Sequence, residues 1–302
     1  MWIESFLRYI RYEKNFSSHT VLSYKNDLFQ FEAYVTRETG AFSPESVDLD
    51  LARNWVASLV EEGMSSRSVR RKVSALRSFF KFLVKEEVVS SSPIRDIQLP
   101  KIRKRLPFFL KQEEMDLLID EVDFGDGFRA VRDRLIINLF YSTGIRRAEL
   151  IGLKDADVDA SMSVLKVTGK RNKQRIVPFG EDLRIQIEEY REIRNRDVLA
   201  DGEFFFIKED GMPLYPELVY RVVTHYIETV STLTKKSPHV LRHTFASAML
   251  NNGAELNSVK ELLGHSSLAS TEVYTHITFE ELKQSYKQAH PRAERKGGRY
   301  EN

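Results

Sequence analysis

The stretch SPHVLRHTFASAML, residues 237–250, sets His239 and His243 four residues apart with Arg242 between them. On a helix this spacing can present two imidazoles to a metal, or an imidazole and a guanidinium to a phosphate. Zinc hydrolases with this pattern carry a carboxylate directly after the first histidine. Here that residue is Val240, and Arg242 would hold a fixed positive charge against a bound cation. Metal is disfavoured, which leaves a phosphate grip and an ordinary polar helix face.

Further residues lean towards phosphate. In YSTGIRRAELIGL, Arg146 follows a helix-ending glycine, and Glu149 is placed three residues on to orient it. A guanidinium offers a planar fork of donors matched to phosphate oxygens. Lys170 lies in the basic hairpin VTGKRNKQRIVPF beside Lys166, Arg171, Lys173 and Arg175, with no acid between Asp159 and Glu181. Crowding by cations lowers a lysine's pKa and suits it to act as an acid. His265 follows Gly264, and Tyr274 lies nine residues later. A tyrosine there packs, or attacks phosphorus as a nucleophile. Taken together, two arginines, two histidines, a lysine and a tyrosine make a coherent phosphoryl-transfer set, with cations doing the electrostatic work of a metal.

The elements that must position these residues are mostly helices. MWIESFLRYIRYEK turns Ile3, Phe6, Leu7 and Ile10 inward, and its charges rule out a signal-peptide core. SSHTVLSYKNDLFQFEAYV repeats Val21, Tyr24, Leu28, Phe31 and Val35, and a next helix buries Leu51, Trp55, Val56 and Leu59. SSRSVRRKVSALRSFFKFLVKEE turns Val69, Val73, Leu76, Phe80 and Leu83 inward and Arg67, Arg70, Arg71, Arg77 and Lys81 outward, with no acid between Glu62 and Glu86. Such a stripe is a solvated face or a surface that tracks phosphates. SSSPIRDIQLPKIRKRLPFF, with Lys101, Arg103, Lys104 and Arg105, predicts an extended basic linker. Beyond it come helices over KQEEMDLLIDEV and FRAVRDRLIINLFYSTG, a hairpin of SVLKVTGK and QRIVPF, and then helices to the end. Ser237 and Pro238 suit the cap and first turn of the histidine-bearing helix.

With 302 residues and 42% hydrophobic content the chain can build about two domains. No run approaches the roughly 18 apolar residues of a membrane helix. The absence of cysteine excludes disulfides and thiolate metal sites and makes the cytoplasm the simplest location. The net charge of +2 says little by itself.

In order, spacing and flanking residues, TGIRRAEL, GKRNKQRIVPF, HVLRHTFA, LGHSS and EVYTHI resemble the signature of the tyrosine recombinase (phage integrase) family. SSHTVLSYKNDLFQF resembles the core-binding domain of Xer recombinases, and the lack of a long arm-binding segment ahead of it points to the Xer type. The resemblance implies a mainly α fold with a small β-sheet. A helical-bundle (SAM-like) core-binding domain would cover 1–90, a linker 91–109, an α+β catalytic domain 110–290 and a polar tail 291–302. It also implies roles for the matching residues. Tyr274 forms a 3′-phosphotyrosyl link, Arg146 and Arg242 bind the non-bridging oxygens, and Lys170 protonates the 5′ oxygen. His239 handles the tyrosine's proton, His265 hydrogen-bonds the phosphate, and His243 is structural, while the adjacent Arg147 has no assigned role. Arg67, Arg70, Arg71, Arg77, Lys81, Lys101, Arg103, Lys104, Arg105, Arg171 and Lys173 would bind double-stranded DNA. No metal, ATP or other cofactor is implied. The expected assembly is a homo- or hetero-tetramer on paired sites, with a second recombinase and a translocase as further partners. The apolar stripe Phe279, Leu282, Tyr286 and Ala289, behind a capping box of Thr278 and Glu281, is expected to dock on a neighbouring protomer. The implied task is chromosome dimer resolution. Its alternatives are an integrase or invertase of a mobile element, a type IB topoisomerase-like enzyme, or an inactive DNA-binding regulator.

Overall fold

The computed structural model describes residues 2–101, 108–169, 172–198, 202–264 and 279–293. The chain divides into two units, residues 1–105 and 106–302.

In the first unit the second, third and fourth helices each begin where a short polar side chain stops the preceding segment. Helix α1 (Trp2–Tyr12) buries Ile3, Phe6 and Ile10. Helix α2 (Ser18–Thr39) starts with Ser17 Oγ accepting the Thr20 amide and ends on Gly40 in the left-handed region. Asp48 accepts the Leu51 amide at 2.7 Å to open α3 (Leu49–Glu61). Ser65 opens α4 (Ser66–Lys85), on which Val69, Val73, Leu76, Phe80 and Leu83 are fully buried. The rings of Phe31 and Trp55, 4.9 Å apart and edge to face, join α2 to α3. This core extends past residue 90. The expected linker is not extended in its first half: Ile94 and Ile97 bury in the same core. The reason is apolar spacing, which gives that segment a face to bury despite its prolines. It is tied down by Arg77, whose Nη2 donates to the Ile97 carbonyl at 3.0 Å.

The second unit is built around α6 (Gly127–Thr143), a helix buried on nearly all sides, whose buried polar residues are partnered, Arg132 with Asp133 and Asn138 with Gln186 and Ser142. Helix α5 (Gln112–Asp116), continued by a π-helical turn through Glu121, precedes it, and the short α7 (Arg147–Ile151) follows. The sheet runs β1 (Val158–Asp159), β2 (Val164–Thr168), β3 (Gln174–Pro178), antiparallel throughout, with Leu165 opposite Val177 and Val167 opposite Arg175. The two-residue β1 is too short for its pattern to show in the sequence. Helices α8 (Glu181–Asp197), α9 (Pro216–Val230) and α10 (Pro238–Asn251) pack on α6. Helices α11 (Leu256–Leu263) and α12 (Phe279–Ala289) complete the unit. Ser237 occupies the cap position of α10 with Pro238 in its first turn, but its hydroxyl makes no capping bond.

Half of the stripe expected to dock on a neighbouring protomer is buried at home, with Phe279 and Leu282 half-buried. Tyr286 and Ala289 lie in the core of their own unit, and α12 packs on α10, α11 and β3. The expected polar tail is also corrected, because residues 292 and 293 are buried. Arg292 pairs with Asp182 at 2.6 Å and with Asp120, so its buried charge is compensated twice. A side chain at Gly180 would lie 2.5 Å from the Arg292 carbonyl oxygen, so only glycine admits this closure. Thr278 of the expected capping box lies outside the described residues. Among the described residues no helix is long and apolar enough to cross a membrane.

Candidate active site

Helix α6 ends at Gly144 (φ 60°), where a Cβ would come within 2.5 Å of the Phe245 ring. This left-handed residue turns the chain so that Arg146 caps α7. Arg146 is held twice by Glu149: its amide donates to Oε2 and its Nη1 to Oε1, both at 2.7 Å. Arg175 approaches the same carboxylate from β3, bidentately, with both bonds at 2.9 Å. The Glu149 side chain is only 3% exposed. Burial works to raise its pKa, but the hydrogen bonds from Arg175 and Arg146 and the Arg175 charge outweigh that and hold it below the usual carboxylate range.

The end of α11 organises the guanidinium groups. Arg175 Nε donates to the Leu262 carbonyl at 2.8 Å, Arg242 Nη2 to Leu263 at 2.7 Å, and Arg146 Nη2 to Gly264 at 2.9 Å. Three successive carbonyls at this helix terminus are thus each taken by a different arginine. Arg242 also donates Nη1 to the Gly144 carbonyl. Burial, then the Arg146 charge, push its pKa down to about 10, so it stays charged at neutral pH. One turn earlier, His239 is exposed. Partial burial, then Arg242, His243 and Arg147, lower its pKa, so the imidazole is neutral at pH 7 and able to accept a proton. His243 is exposed and shifts in the same direction for the same reasons, burial and then Arg242. Arg147 donates to the Pro216 carbonyl at 3.3 Å, which ties α7 to α9.

The structure therefore brings together Arg146, Arg242 and, on the same helix as Arg242, His239. Lys170, Arg171, His265 and Tyr274 lie outside the described residues, as do Arg103, Lys104 and Arg105. Lys173 is exposed beside β3. The arginine that motif reading passed over is Arg175, counted only among the bases of the hairpin. Its signal was strand alternation: Arg175 is two residues from buried Val177 and opposite buried Val167, so it points to the core face, where a cation needs an acid.

On the first unit the basic stripe is less uniform than its sequence. Arg67 and Lys81 are exposed on α4, as is Lys101 beyond it. Arg71 pairs with Asp27 of α2, and the neighbouring Lys72 is buried against the same carboxylate at 3.0 Å. Arg70 reaches the Pro100 carbonyl, and the Arg77 donors are taken by Ile94 and Ile97.

Comparison with known proteins agrees with this architecture. The Phage integrase family matches residues 109–281, and the Phage integrase, N-terminal SAM-like domain matches residues 3–87. Among curated relatives, Tyrosine recombinase XerC of Chlorobaculum tepidum is 38% identical, covering 97% of this chain and 95% of that protein. Tyrosine recombinase XerC of Bacillus subtilis is 36% identical, covering 98% of each. Among solved structures, XerH site-specific recombinase bound to difH substrate shares the fold, with a TM-score of 0.68 at 23% identity over 95% of this chain and 94% of that one. Fold and arginine cluster define a DNA strand-transferring enzyme, a site-specific tyrosine recombinase. The chain belongs to the phage integrase family and, within it, to the Xer type.

Proposed function

We propose that this recombinase resolves chromosome dimers, cutting and rejoining duplex DNA through a phosphotyrosine formed by Tyr274. The observation that carries the site assignment is the pair Arg146 and Arg242, held on adjacent carbonyls at the end of α11. Arg146 keeps Nε and further N–H groups without bonds among the described residues, and these match the non-bridging oxygens of a scissile phosphate. Tyr274 attacks phosphorus, and neutral His239 accepts its proton. Lys170 protonates the departing 5′ oxygen, and His265 hydrogen-bonds the phosphate. A 5′-hydroxyl from a partner strand then displaces the tyrosine. Each step exchanges one phosphodiester for another, so the cycle needs neither ATP nor metal. Arg67, Lys81 and Lys101 offer exposed charge for phosphate tracking. Arg70 and Arg71 share theirs with protein partners, Arg77 is given over to structure, and Arg103, Lys104, Arg105, Arg171 and Lys173 are assigned to DNA binding as well. The working unit is a tetramer on paired sites in the cytoplasm, with a second recombinase and a DNA translocase as its partners. Nearly full-length similarity to XerC proteins favours this reading over a mobile-element integrase.

DNA covalently captured by the protein in its host, once sequenced, identifies the site. Recovery at one chromosomal locus near the replication terminus supports dimer resolution, and recovery at element ends overturns it. A nicked duplex of the recovered site traps a covalent complex with the native protein and none with Tyr274→Phe. An adduct with the variant removes Tyr274 as nucleophile.

A further inference from the structure

The Arg175 side chain, 15% exposed, leaves β3 and spends all three guanidinium nitrogens on protein: Nε on the Leu262 carbonyl, Nη1 and Nη2 on the two oxygens of Glu149. Such a group has no fork left for a phosphate. What it does instead is join three segments. Glu149 belongs to α7 and holds Arg146 through its other contacts. Leu262 belongs to the end of α11, whose next two carbonyls receive Arg242 and Arg146. Arg175 itself sits on the strand that returns from the Lys170 hairpin. The packing leaves little slack: a Cβ at Gly264 would lie 3.1 Å from Arg175 Cδ, and one at Gly169 would lie 3.3 Å from Glu149 Oε1. Without Arg175, Glu149 would keep only Arg146. Its carboxylate would then be free to swing and easier to protonate, because burial would be opposed by fewer donors.

We propose that Arg175 is a positioning residue for strand transfer: it locks the Glu149 carboxylate and the end of α11 so that Arg146 and Arg242 present their donors to one phosphate. The proposal rests on the reading that these two arginines bind the scissile phosphate. Lysine cannot replace Arg175, because an ammonium offers no planar fork for a bidentate carboxylate and a third acceptor.

The test uses the full-length protein, the nicked duplex of the captured site at saturating concentration, and single-turnover formation of the covalent complex from pH 4.5 to 9. Arg175→Gln and Arg175→Lys are each expected to form it about 100-fold more slowly, the scale of a small misplacement of catalytic groups. Affinity for the duplex and the salt dependence of binding stay at native values. The acid limb of the rate moves to higher pH, reporting the easier protonation of Glu149. On a Glu149→Gln background, Arg175→Gln adds little further loss, because the two act as one unit. Circular dichroism and thermal melts verify that rates are compared between folded proteins. A native rate with only a lower melting temperature assigns Arg175 to stability alone and overturns the proposal. So does weaker binding with the salt slope reduced by about 1, which marks a direct phosphate contact. Arg146→Lys separates the two levels. If it cleaves at the native rate, the phosphate-binding reading falls and this proposal with it. If it is slow while both Arg175 variants are native, only this proposal falls.

Discussion

Each unit holds a buried carboxylate shared by two cations, Asp27 in the first and Glu149 in the second, and the two arrangements differ in what they leave free. In the first, Asp27 takes Lys72, almost fully buried, and Arg71, whose side chain remains 45% exposed. The cluster pins α2 to α4 and ends there. In the second, Glu149 accepts four hydrogen bonds from Arg146 and Arg175, and the same arginines with Arg242 occupy consecutive carbonyls of α11. A pair joins two helices, whereas this network joins a helix cap, a strand and a helix terminus. The lesson is that a buried acid has value for chemistry when its partners are themselves held elsewhere. A buried acid whose partners reach only the two helices it joins contributes stability.

The contrast can be broken by truncating the two acids. Glu149→Ala strands Arg175 and is expected to destabilise the second unit by about 3–5 kcal/mol, with a cleavage loss at least as large as that of Arg175→Gln. Denaturant melts and single-turnover cleavage read both effects. Asp27→Ala leaves buried Lys72 with only the Gln30 side-chain oxygen, while Arg71 can turn to water, and is expected to cost about 2 kcal/mol. Cleavage at saturating DNA should stay native, and an equal fall in both variants would erase the distinction between the clusters.

Between those two effects lies a pH response confined to the second unit. His290, buried among Tyr141, Phe245 and Tyr286, has its pKa pushed down to about 4 by burial, opposed by its bond to the Tyr141 carbonyl. The unfolded chain takes up this proton near the ordinary value of about 6.5, while the folded chain resists until about 4. Stability is therefore whole above about 6.5 and falls with acid, by about 3 kcal/mol at pH 4. Urea melts at pH 7 and pH 4 measure the fall, and His290→Gln should flatten it. An unchanged slope in that variant assigns the acid response to other groups.

The helices of the first unit were legible because Val69, Val73, Leu76, Phe80 and Leu83 recur at helical spacing and all bury. What periodicity cannot supply is a partner across space. A stripe without acids in its own helix looked wholly free, yet Asp27 arrives from α2, and Arg77 turns back on carbonyls that follow the helix. The ends of the linker and tail were misplaced for a related reason. Proline and charge announce irregular chain, but Ile94, Ile97 and Arg292 are fixed by contacts that local composition does not encode. Arg146 and Arg242 could be singled out from motif order, whereas the stacking of three arginines on one helix end required the fold.

Docking α12 against its own unit closes that unit on itself. Tyr286 and Ala289 lie in the core shared with α6 and α10, and Arg292 ties the following turn to Asp182 of α8 and to Asp120. Removing the chain from residue 279 onward would therefore empty core positions and strand two acids, and the unit is expected to lose its cooperative melting with the segment.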